Sequence, residues 1–281
     1  MGFLPPKKSL GQHFLIEPAI HKRIVDAMAP SSEDIAIEIG PGTGLLTQHL
    51  LATPLKKLIS FELDARAVPD LQKKFEKEEK RFLVEQQDFL AADLAVIASH
   101  ERQKLRMVGN IPYYITSPII FKLLDERASL IDAHLLVQLE VAQRLVGEPG
   151  TKAYGIPTVL ANFFAEVKFL FRVPAGAFRP VPKVDSAVIR IDFLHDYFDR
   201  TKTERPQNFD DQTFRQLVRA LFAMRRKTIR NNLKATVSPL IMEKIGTGPL
   251  SGFLSARAEE LEIPDFLRLY SEIEWMKIGS E

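Results

Sequence analysis

A short apolar strand that runs directly into a glycine-rich turn and then into a helix constrains the fold of this chain more than any other feature. We predict the strand at Ile35–Ile39, the turn at Gly40–Gly44 and the helix at Leu45–Leu51. Further short apolar segments alternate with segments of helical periodicity up to about residue 147. Because strands that alternate with such helices form a parallel sheet covered on both faces, we predict an α/β fold.

The second half of the chain follows a different pattern. Two further strands are predicted at Val167–Val173 and Ala187–Phe193, separated by a proline-rich loop, and they are expected to pair antiparallel at a sheet edge. The polar stretch Asp199–Asp211 then marks a domain boundary. Segments with helical periodicity follow at 214–224, 228–236 and 266–275. We therefore predict an α/β domain over residues 1–198 and a small all-helical domain over residues 207–281.

Charge is distributed unevenly along a chain whose formal net charge is only +2. Between Gln212 and Met242 there are Arg and Lys residues but no Asp or Glu. Local charge of one sign is what phosphate contacts require, although a solvated helix face would look the same. The chain has no cysteine, which excludes disulfides and thiolate metal sites. It also has no signal-peptide pattern and no apolar run long enough for a membrane span, so we expect a cytoplasmic monomer.

The glycine turn has the sequence EIGPGTG, and its glycines allow a sharp turn and the close approach of a ligand. Its third glycine comes one residue earlier than in the dinucleotide-binding pattern, and Glu38 precedes the turn. A carboxylate there would repel a pyrophosphate but suits a ligand that carries an amino group and a sulfonium. We therefore predict that Glu38, Gly40, Gly42 and Gly44 bind S-adenosylmethionine rather than NAD. The alternative is a purely structural turn.

Acidic residues also follow the next two predicted strands. Glu62 comes about twenty residues after the glycines, where a carboxylate in Rossmann-type sites accepts hydrogen bonds from ribose hydroxyls. Asp88 follows the third strand and can accept a hydrogen bond from the adenine amino group of the cofactor. A single acid after a strand is often only a turn residue. Acids at the ends of three successive strands, Glu38 included, favour a cofactor site.

The segment Asn110-Ile111-Pro112-Tyr113 follows the fourth strand. An adenine amino nitrogen is a poor nucleophile because its lone pair is delocalised into the ring. Two acceptors aimed at its hydrogens, the Asn110 side-chain oxygen and the Pro112 carbonyl, would favour tetrahedral geometry. The Tyr113 ring would stack on the extruded base. This predicts methylation of an amino group, whereas the alternative is an ordinary proline turn.

Seven motifs together resemble a known family over nearly the whole chain: GQHFL (11–15), EIGPGTG (38–44), FELD (61–64), QQDFL (86–90), NIPYY (110–114), FRPVPKVDSAV (178–188) and LFAMRRKTIRNNL (221–233). The chain resembles the ribosomal RNA adenine dimethyltransferases, specifically the bacterial small-subunit (kasugamycin-resistance) branch. The resemblance implies a Rossmann-like S-adenosylmethionine-dependent methyltransferase sheet with a helical C-terminal domain. It also implies N6,N6-dimethylation of two adjacent adenosines in the 3′-terminal hairpin loop of 16S rRNA, within an assembling 30S subunit.

The family pattern adds His13 and Leu15 to the cofactor-binding residues Gly40, Glu62, Asp88 and Asn110. Many relatives have Asn in place of His13, so its contact through side chain or backbone stays open. By analogy with other amino methyltransferases, Phe178 is a candidate second stacking surface for the target base, or else a hydrophobic plug. The residues expected to bind RNA are Lys183, Arg225, Arg226, Lys227 and Arg230. Two alternatives remain: a large-subunit rRNA dimethyltransferase and a non-catalytic RNA-binding factor with the same fold.

Overall fold

The computed structural model describes residues 6–7, 11–234 and 236–273. The chain forms two compact units, and neither is contiguous. The first comprises the residues up to Ala142 together with Ala165–His195. The second comprises Gln143–Phe164 together with the residues from Asp196 onward. The predicted helical domain began at residue 207, whereas this unit also includes 143–164 and 196–206.

The first unit contains the strands of the described residues, numbered along the chain. They are β1 (Phe14–Leu15), β2 (Ile35–Ile39), β3 (Lys57–Glu62), β4 (Phe82–Gln86), β5 (Leu105–Asn110), β6 (Leu130–Gln138), β7 (Glu166–Val173), β8 (Phe178–Arg179) and β9 (Ser186–Asp192). Seven of them form one sheet in the order β4-β3-β2-β5-β6-β9-β7. The first five strands in this order, β4, β3, β2, β5 and β6, are parallel to one another, whereas β9 is antiparallel to both β6 and β7. The predicted parallel sheet with an antiparallel pair at its edge is therefore confirmed.

Helices cover this sheet because its central strands are apolar on both faces. All five residues of β2 are buried, as are Leu58 of β3 and Met107 of β5. The helices that precede the second unit are α1 (Pro18–Met28), α2 (Leu45–Leu51), α3 (Ala67–Lys74), α4 (Leu94–Glu101) and α5 (Thr116–Asp125), and α6 (Leu139–Leu145) crosses into it. The order of parallel strands and covering helices confirms the predicted Rossmann-like class.

Two very short strands connect distant motifs of the sequence. β1 pairs antiparallel with β8, so that Phe14 lies opposite Arg179 and Leu15 opposite Phe178. The backbone of Ile16 extends this contact by donating to the Ala177 carbonyl at 2.9 Å. The segment around residues 11–15 therefore lies beside the proline-rich loop that follows Phe178.

The described residues of the second unit form helices joined by turns and loops and contain no strand, as predicted. Its helices are α7 (Ile156–Phe164), α8 (Tyr197–Thr201), α9 (Asp211–Phe222), α10 (Ile229–Leu233), α11 (Pro239–Thr247) and α12 (Ile263–Glu272). The predicted helix at 266–275 begins earlier, at Ile263, and residues 274–275 lie outside the described residues. An aromatic cluster centred on Phe163 joins α7 to α8 and α9 through Phe198, Phe209 and Phe214. None of the described helices of either unit is long and apolar enough to cross a membrane.

Candidate active site

A cleft lies where the parallel strands of the first unit end. The carboxyl ends of β2, β3, β4 and β5 meet at one edge of the sheet, which is where open α/β sheets bind ligands. The space between the walls of this cleft is about 780 Å³, open solvent included. Its walls include residues from the motifs predicted to act together: Gln12, His13, Phe14, Gly40, Gly42, Glu62, Asp88, Phe89, Asn110, Pro112 and Tyr113.

The three glycines of the turn have different surroundings, although all have a positive φ, between 55° and 71°. Gly40 and Gly42 line the cleft, and a Cβ added to Gly40 would meet no atom within 4 Å. Gly44 instead packs against α3, where an added Cβ would lie 2.7 Å from Leu71 and 2.9 Å from Phe75. Gly44 therefore allows close helix packing and does not line the cleft, contrary to its predicted contact with the cofactor.

Glu62, the last residue of β3, holds a fixed position in the cleft wall. Its Oε2 accepts a hydrogen bond from the Gly42 amide at 2.9 Å, and its Oε1 accepts one from the Asp64 amide at 2.8 Å. The side chain is buried, and burial raises the pKa of the carboxyl. Each carboxylate oxygen can accept a second hydrogen bond, so Glu62 can also bind a ligand hydroxyl.

Asp88 follows β4 and lines the same cleft. One of its oxygens accepts a hydrogen bond from the Leu90 amide at 2.9 Å, so the residue also caps the short turn that follows. The next residue, Phe89, is buried with its ring edge-on to Phe61 and forms an apolar wall. A polar edge beside an apolar wall suits an adenine ring.

Asn110 and His13 are joined through the backbone of the N-terminal segment. The Asn110 side-chain amide donates to the His13 carbonyl at 2.9 Å, and this bond leaves the Asn110 Oδ1 atom as the available acceptor. The His13 ring bonds to the Pro180 carbonyl through Nδ1 at 2.8 Å and stacks on Tyr113 with ring centroids 5.6 Å apart. His13 thus supports the cleft with both its side chain and its backbone.

Tyr113 is held at both ends, because its ring stacks on His13 and its hydroxyl bonds to the Ser186 hydroxyl at 2.7 Å. The Pro112 carbonyl accepts the Ile115 amide at 3.1 Å and the Thr116 hydroxyl at 3.3 Å. It therefore points into the turn, contrary to the predicted orientation towards a target amine.

Phe178 also lies away from the cleft. Its ring is fully buried in the core of the first unit, beside Leu15 and Val188. The predicted stacking of Phe178 on a target base is therefore wrong, because the antiparallel pairing with β1 turns the ring inward. The residue is the hydrophobic plug of the alternative interpretation.

Glu38 lies beneath the glycine turn, in a smaller cavity that shares Gly40 and Asn110 with the main cleft and is also lined by Leu15. Its Oε2 accepts hydrogen bonds from the Thr47 and Ser60 hydroxyls at 2.7 and 2.9 Å. No donor to Oε1 is found among the described residues. Burial raises the pKa of Glu38 to about 7.

The sequence did not indicate Thr47 or Ser60 as partners of Glu38, nor the cleft contacts of Gln12, Phe14 and Phe89. Each of these contacts depends on the direction in which a side chain points, and the sequence predicts most of the helices and strands but not those directions. Phe89 directly follows Asp88 at the end of a strand, and Gln12 and Phe14 flank His13 in the GQHFL motif, so these three had a signal.

The basic segment of the second unit is a turn rather than a continuous helix. α9 ends at Phe222, and Arg225, Arg226 and Lys227 precede α10. Arg226, in the turn, and Arg230, in α10, therefore do not lie on one continuous helix. Buried Asn232 holds the turn, donating to the Leu221 carbonyl at 2.6 Å and accepting from the Met224 amide at 3.1 Å.

The cations of this segment have different environments. Arg225 donates to Glu259 at 2.8 Å and to the Lys152 carbonyl at 2.6 Å, so its guanidinium is used within the second unit. Arg226, Lys227 and Arg230 are exposed, and no acidic partner for them is found among the described residues. Lys183, in the proline-rich loop of the first unit, is likewise exposed.

A family model described as ribosomal RNA adenine dimethylase matches residues 5–274 of the chain. Among curated proteins, the chain is 40% identical over 274 residues to a ribosomal RNA small subunit methyltransferase A of Chlorobium phaeobacteroides, covering 98% of this chain and 93% of that protein. It is 43% identical over 232 residues to the protein of that name from Geobacillus thermodenitrificans, covering 81% and 75%.

Solved structures give a consistent result. A dimethyladenosine transferase from Plasmodium falciparum superposes with a TM-score of 0.73 at 27% identity, covering 92% of this chain and 96% of that one. The 23S rRNA methyltransferase ErmE superposes with a TM-score of 0.67 at 25% identity, covering 93% and 99%. The likeness in both cases extends over the helical C-terminal region as well as the sheet.

Proposed function

Because the chain belongs to the ribosomal RNA adenine dimethylase family, we propose that it dimethylates the N6 atoms of two adjacent adenosines in the 3′-terminal hairpin loop of 16S rRNA. The methyl donor is S-adenosylmethionine. The observation that carries the proposal is the convergence of Glu62, Asp88 and Asn110 on one cleft at the carboxyl ends of three parallel strands. A factor that only bound RNA would not need such a cofactor site.

The residues of the cleft fit this methyl donor. The space beside Gly40 is open where a side chain would obstruct a ligand, and Glu62 can accept hydrogen bonds from ribose hydroxyls. Asp88 and Phe89 together offer an acceptor and an apolar wall for the adenine ring. When bound, S-adenosylmethionine supplies an electrophilic methyl group on its sulfonium, and the protein supplies alignment and electrostatics.

The target amine would be oriented by acceptors at the end of β5. The bond from Asn110 to the His13 carbonyl fixes the amide so that Asn110 Oδ1 can accept one amine hydrogen. The Pro112 carbonyl is already used in its turn, so the second acceptor is instead the Ile111 carbonyl, for which no donor is found among the described residues. Tyr113, held by Ser186 and His13, gives the base a rigid aromatic wall.

The small subunit is favoured over the large one by the relatives. The curated relatives named for the small subunit are 35–43% identical to this chain, whereas the 23S rRNA methyltransferase is 25% identical. We propose that Arg226, Lys227 and Arg230 contact RNA phosphates, with Lys183 as a further contact. Action as a cytoplasmic monomer on an assembling 30S subunit belongs to the same proposal.

Methyl transfer from labelled S-adenosylmethionine tests the proposal. Small and large subunits from cells that lack the modification are each incubated with the protein, and the labelled nucleosides are mapped. We expect two N6,N6-dimethyladenosines per small subunit and none in the large subunit. Asn110→Ala should lower the single-turnover rate roughly 100- to 1,000-fold while the variant stays folded. Label confined to the large subunit, or absent from both, would refute the proposal.

A further inference from the structure

Tyr114 lies at the mouth of the cleft, beside the anchored Tyr113, and has a different environment. Both tyrosines line the cleft and belong to one 3₁₀ turn, Tyr113–Ile115. Successive residues of a 3₁₀ turn point about 120° apart, so the two rings cannot occupy the same position. Tyr113 is bonded to Ser186, whereas Tyr114 is 56% exposed.

The Tyr114 ring rests on the backbone of the N-terminal segment. Gly11 has a φ of 55°, and a Cβ placed on it would lie 3.0 Å from Tyr114 Cδ1 and 3.3 Å from Cε1. The ring thus lies so close to this backbone that a side chain at residue 11 would require the ring to shift by a few tenths of an ångström. Of the large hydrophobic side chains that line the cleft in the described part of the chain, only Leu63 and Tyr114 are strongly exposed.

We infer that Tyr114 is a second base-binding site, which stacks on the nucleobase next to the target adenine. This rests on the proposed function, in which one adenine of an adjacent pair enters the cleft and its neighbour remains at the mouth. Unpaired RNA bases are recognised by stacking on exposed aromatic rings, and stacking does not depend on base identity. A ring fixed on one side by Gly11 is preorganised for this contact.

The test uses an RNA hairpin with two adjacent loop adenosines, and a second hairpin in which the neighbour of the target is abasic. Affinities of the wild type, Tyr114→Phe and Tyr114→Leu are measured for both. We expect the abasic change to weaken wild-type binding on the order of tenfold. Tyr114→Leu should weaken binding to the intact hairpin by a similar factor and be insensitive to the abasic change. Tyr114→Phe should resemble the wild type, because stacking needs the ring and not the hydroxyl.

Cofactor affinity separates stacking from a packing role. Gln12 and His13 line the cleft directly after Gly11, so a ring that only supported this segment would affect S-adenosylmethionine binding too. We expect Tyr114→Leu to leave that affinity unchanged, as should the control Val96→Ala, which removes exposed apolar surface outside the cleft. Equal abasic penalties in the wild type and Tyr114→Leu, or a loss of cofactor affinity, would overturn the inference. If the wild type did not methylate small-subunit RNA, the proposed function itself would fail.

Discussion

Glu62 binds the backbone amides of Gly42 and Asp64 while it faces the cleft. Its carboxylate therefore connects the glycine turn to the end of β3 and presents its remaining lone pairs to a ligand. Glu38, only one strand away, is directed beneath the turn towards Thr47 and Ser60. Two buried acids in neighbouring strands thus have different environments. We expect Glu62 to affect cofactor affinity and Glu38 to affect the pH dependence of stability.

We expect Glu62→Ala to weaken binding of S-adenosylmethionine and to leave RNA affinity nearly unchanged. Each hydrogen bond from a ribose hydroxyl to this charged acceptor contributes about 1.5–3 kcal/mol, so the dissociation constant should rise at least tenfold. Calorimetry with the cofactor and a separate RNA titration measure the two affinities, with circular dichroism as a check on folding. Unchanged cofactor affinity in a folded variant would remove Glu62 from the site.

Glu38 predicts a pH-dependent stability difference. Its pKa is raised from 4.5 to about 7 by burial, so the folded state binds a proton that the unfolded state has lost between these values. Stability contributed by this residue therefore decreases as pH rises from about 4.5 to 7. Glu38→Gln removes the titrating group, because its side chain is neutral at every pH. The free energy of unfolding of the variant minus that of the wild type should therefore be up to about 3 kcal/mol larger at pH 8.5 than at pH 5.

Urea unfolding of both proteins at the two pH values, without cofactor, gives this difference directly. Titrating groups that do not interact with Glu38 cancel, because only the wild-type-to-variant difference is compared between pH values. A difference that is the same at pH 5 and pH 8.5 would show that Glu38 does not titrate in this range.

Among the helices and strands, those with a clear hydrophobic pattern could be predicted from the sequence, and those without one could not. β2 and α2 have the bounds predicted from sequence, because an apolar run ends there in a glycine turn. α7 was not predicted, since its sequence is a short and largely apolar run, which periodicity alone does not distinguish from a buried strand. β1 and β8 have two residues each, too few to show any period.

The candidate site was predictable where it depends on strand ends and not where it depends on side-chain direction. Glu62, Asp88 and Asn110 share a cleft because parallel strands end at one edge, which the order of motifs already indicates. The burial of Phe178 follows from its pairing with β1, for which the sequence has no signal. Arg225 is held by Glu259, a residue 34 positions further along the chain.

The exposed cations of the turn between α9 and α10 and of α10 itself predict how binding to the small subunit depends on salt. Replacing Arg226, Lys227 and Arg230 with Gln removes three exposed cations, so affinity should fall. The slope of log affinity against log salt should become shallower by roughly 0.7–0.9 for each RNA phosphate that the protein no longer neutralises. The matched control replaces Lys56, Lys73 and Lys80, which are exposed in the first unit, and changes the net charge equally. Equal effects of both triple variants would indicate that only net charge matters and not this turn.

At the scale of the whole molecule, the two units of the structure are not contiguous in sequence, whereas the predicted domains were. A contiguous domain over residues 1–198 would contain α7 but lack α9. In the structure the Phe163 ring lies 4.2 Å from the Phe214 ring, centroid to centroid, and Phe164 is edge-on to the same residue. Arg215, also in α9, lies 4.2 Å over the Phe164 ring. α7 therefore depends on residues far beyond position 198.

A fragment of residues 1–198 should consequently expose the aromatic face of α7. Phe163 and Phe164 are at most 1% exposed in the intact chain, and re-exposing each ring costs about 1.5–3 kcal/mol. We expect the fragment to bind a hydrophobic dye strongly and to unfold at lower temperature than the full chain. In a second fragment, a flexible linker replaces residues 143–164 and the chain ends at His195, so that only the first unit remains. This fragment should bind less dye, because it lacks α7. If the fragment of residues 1–198 instead unfolded cooperatively without dye binding, the contiguous division would be correct and α7 would belong with the sheet.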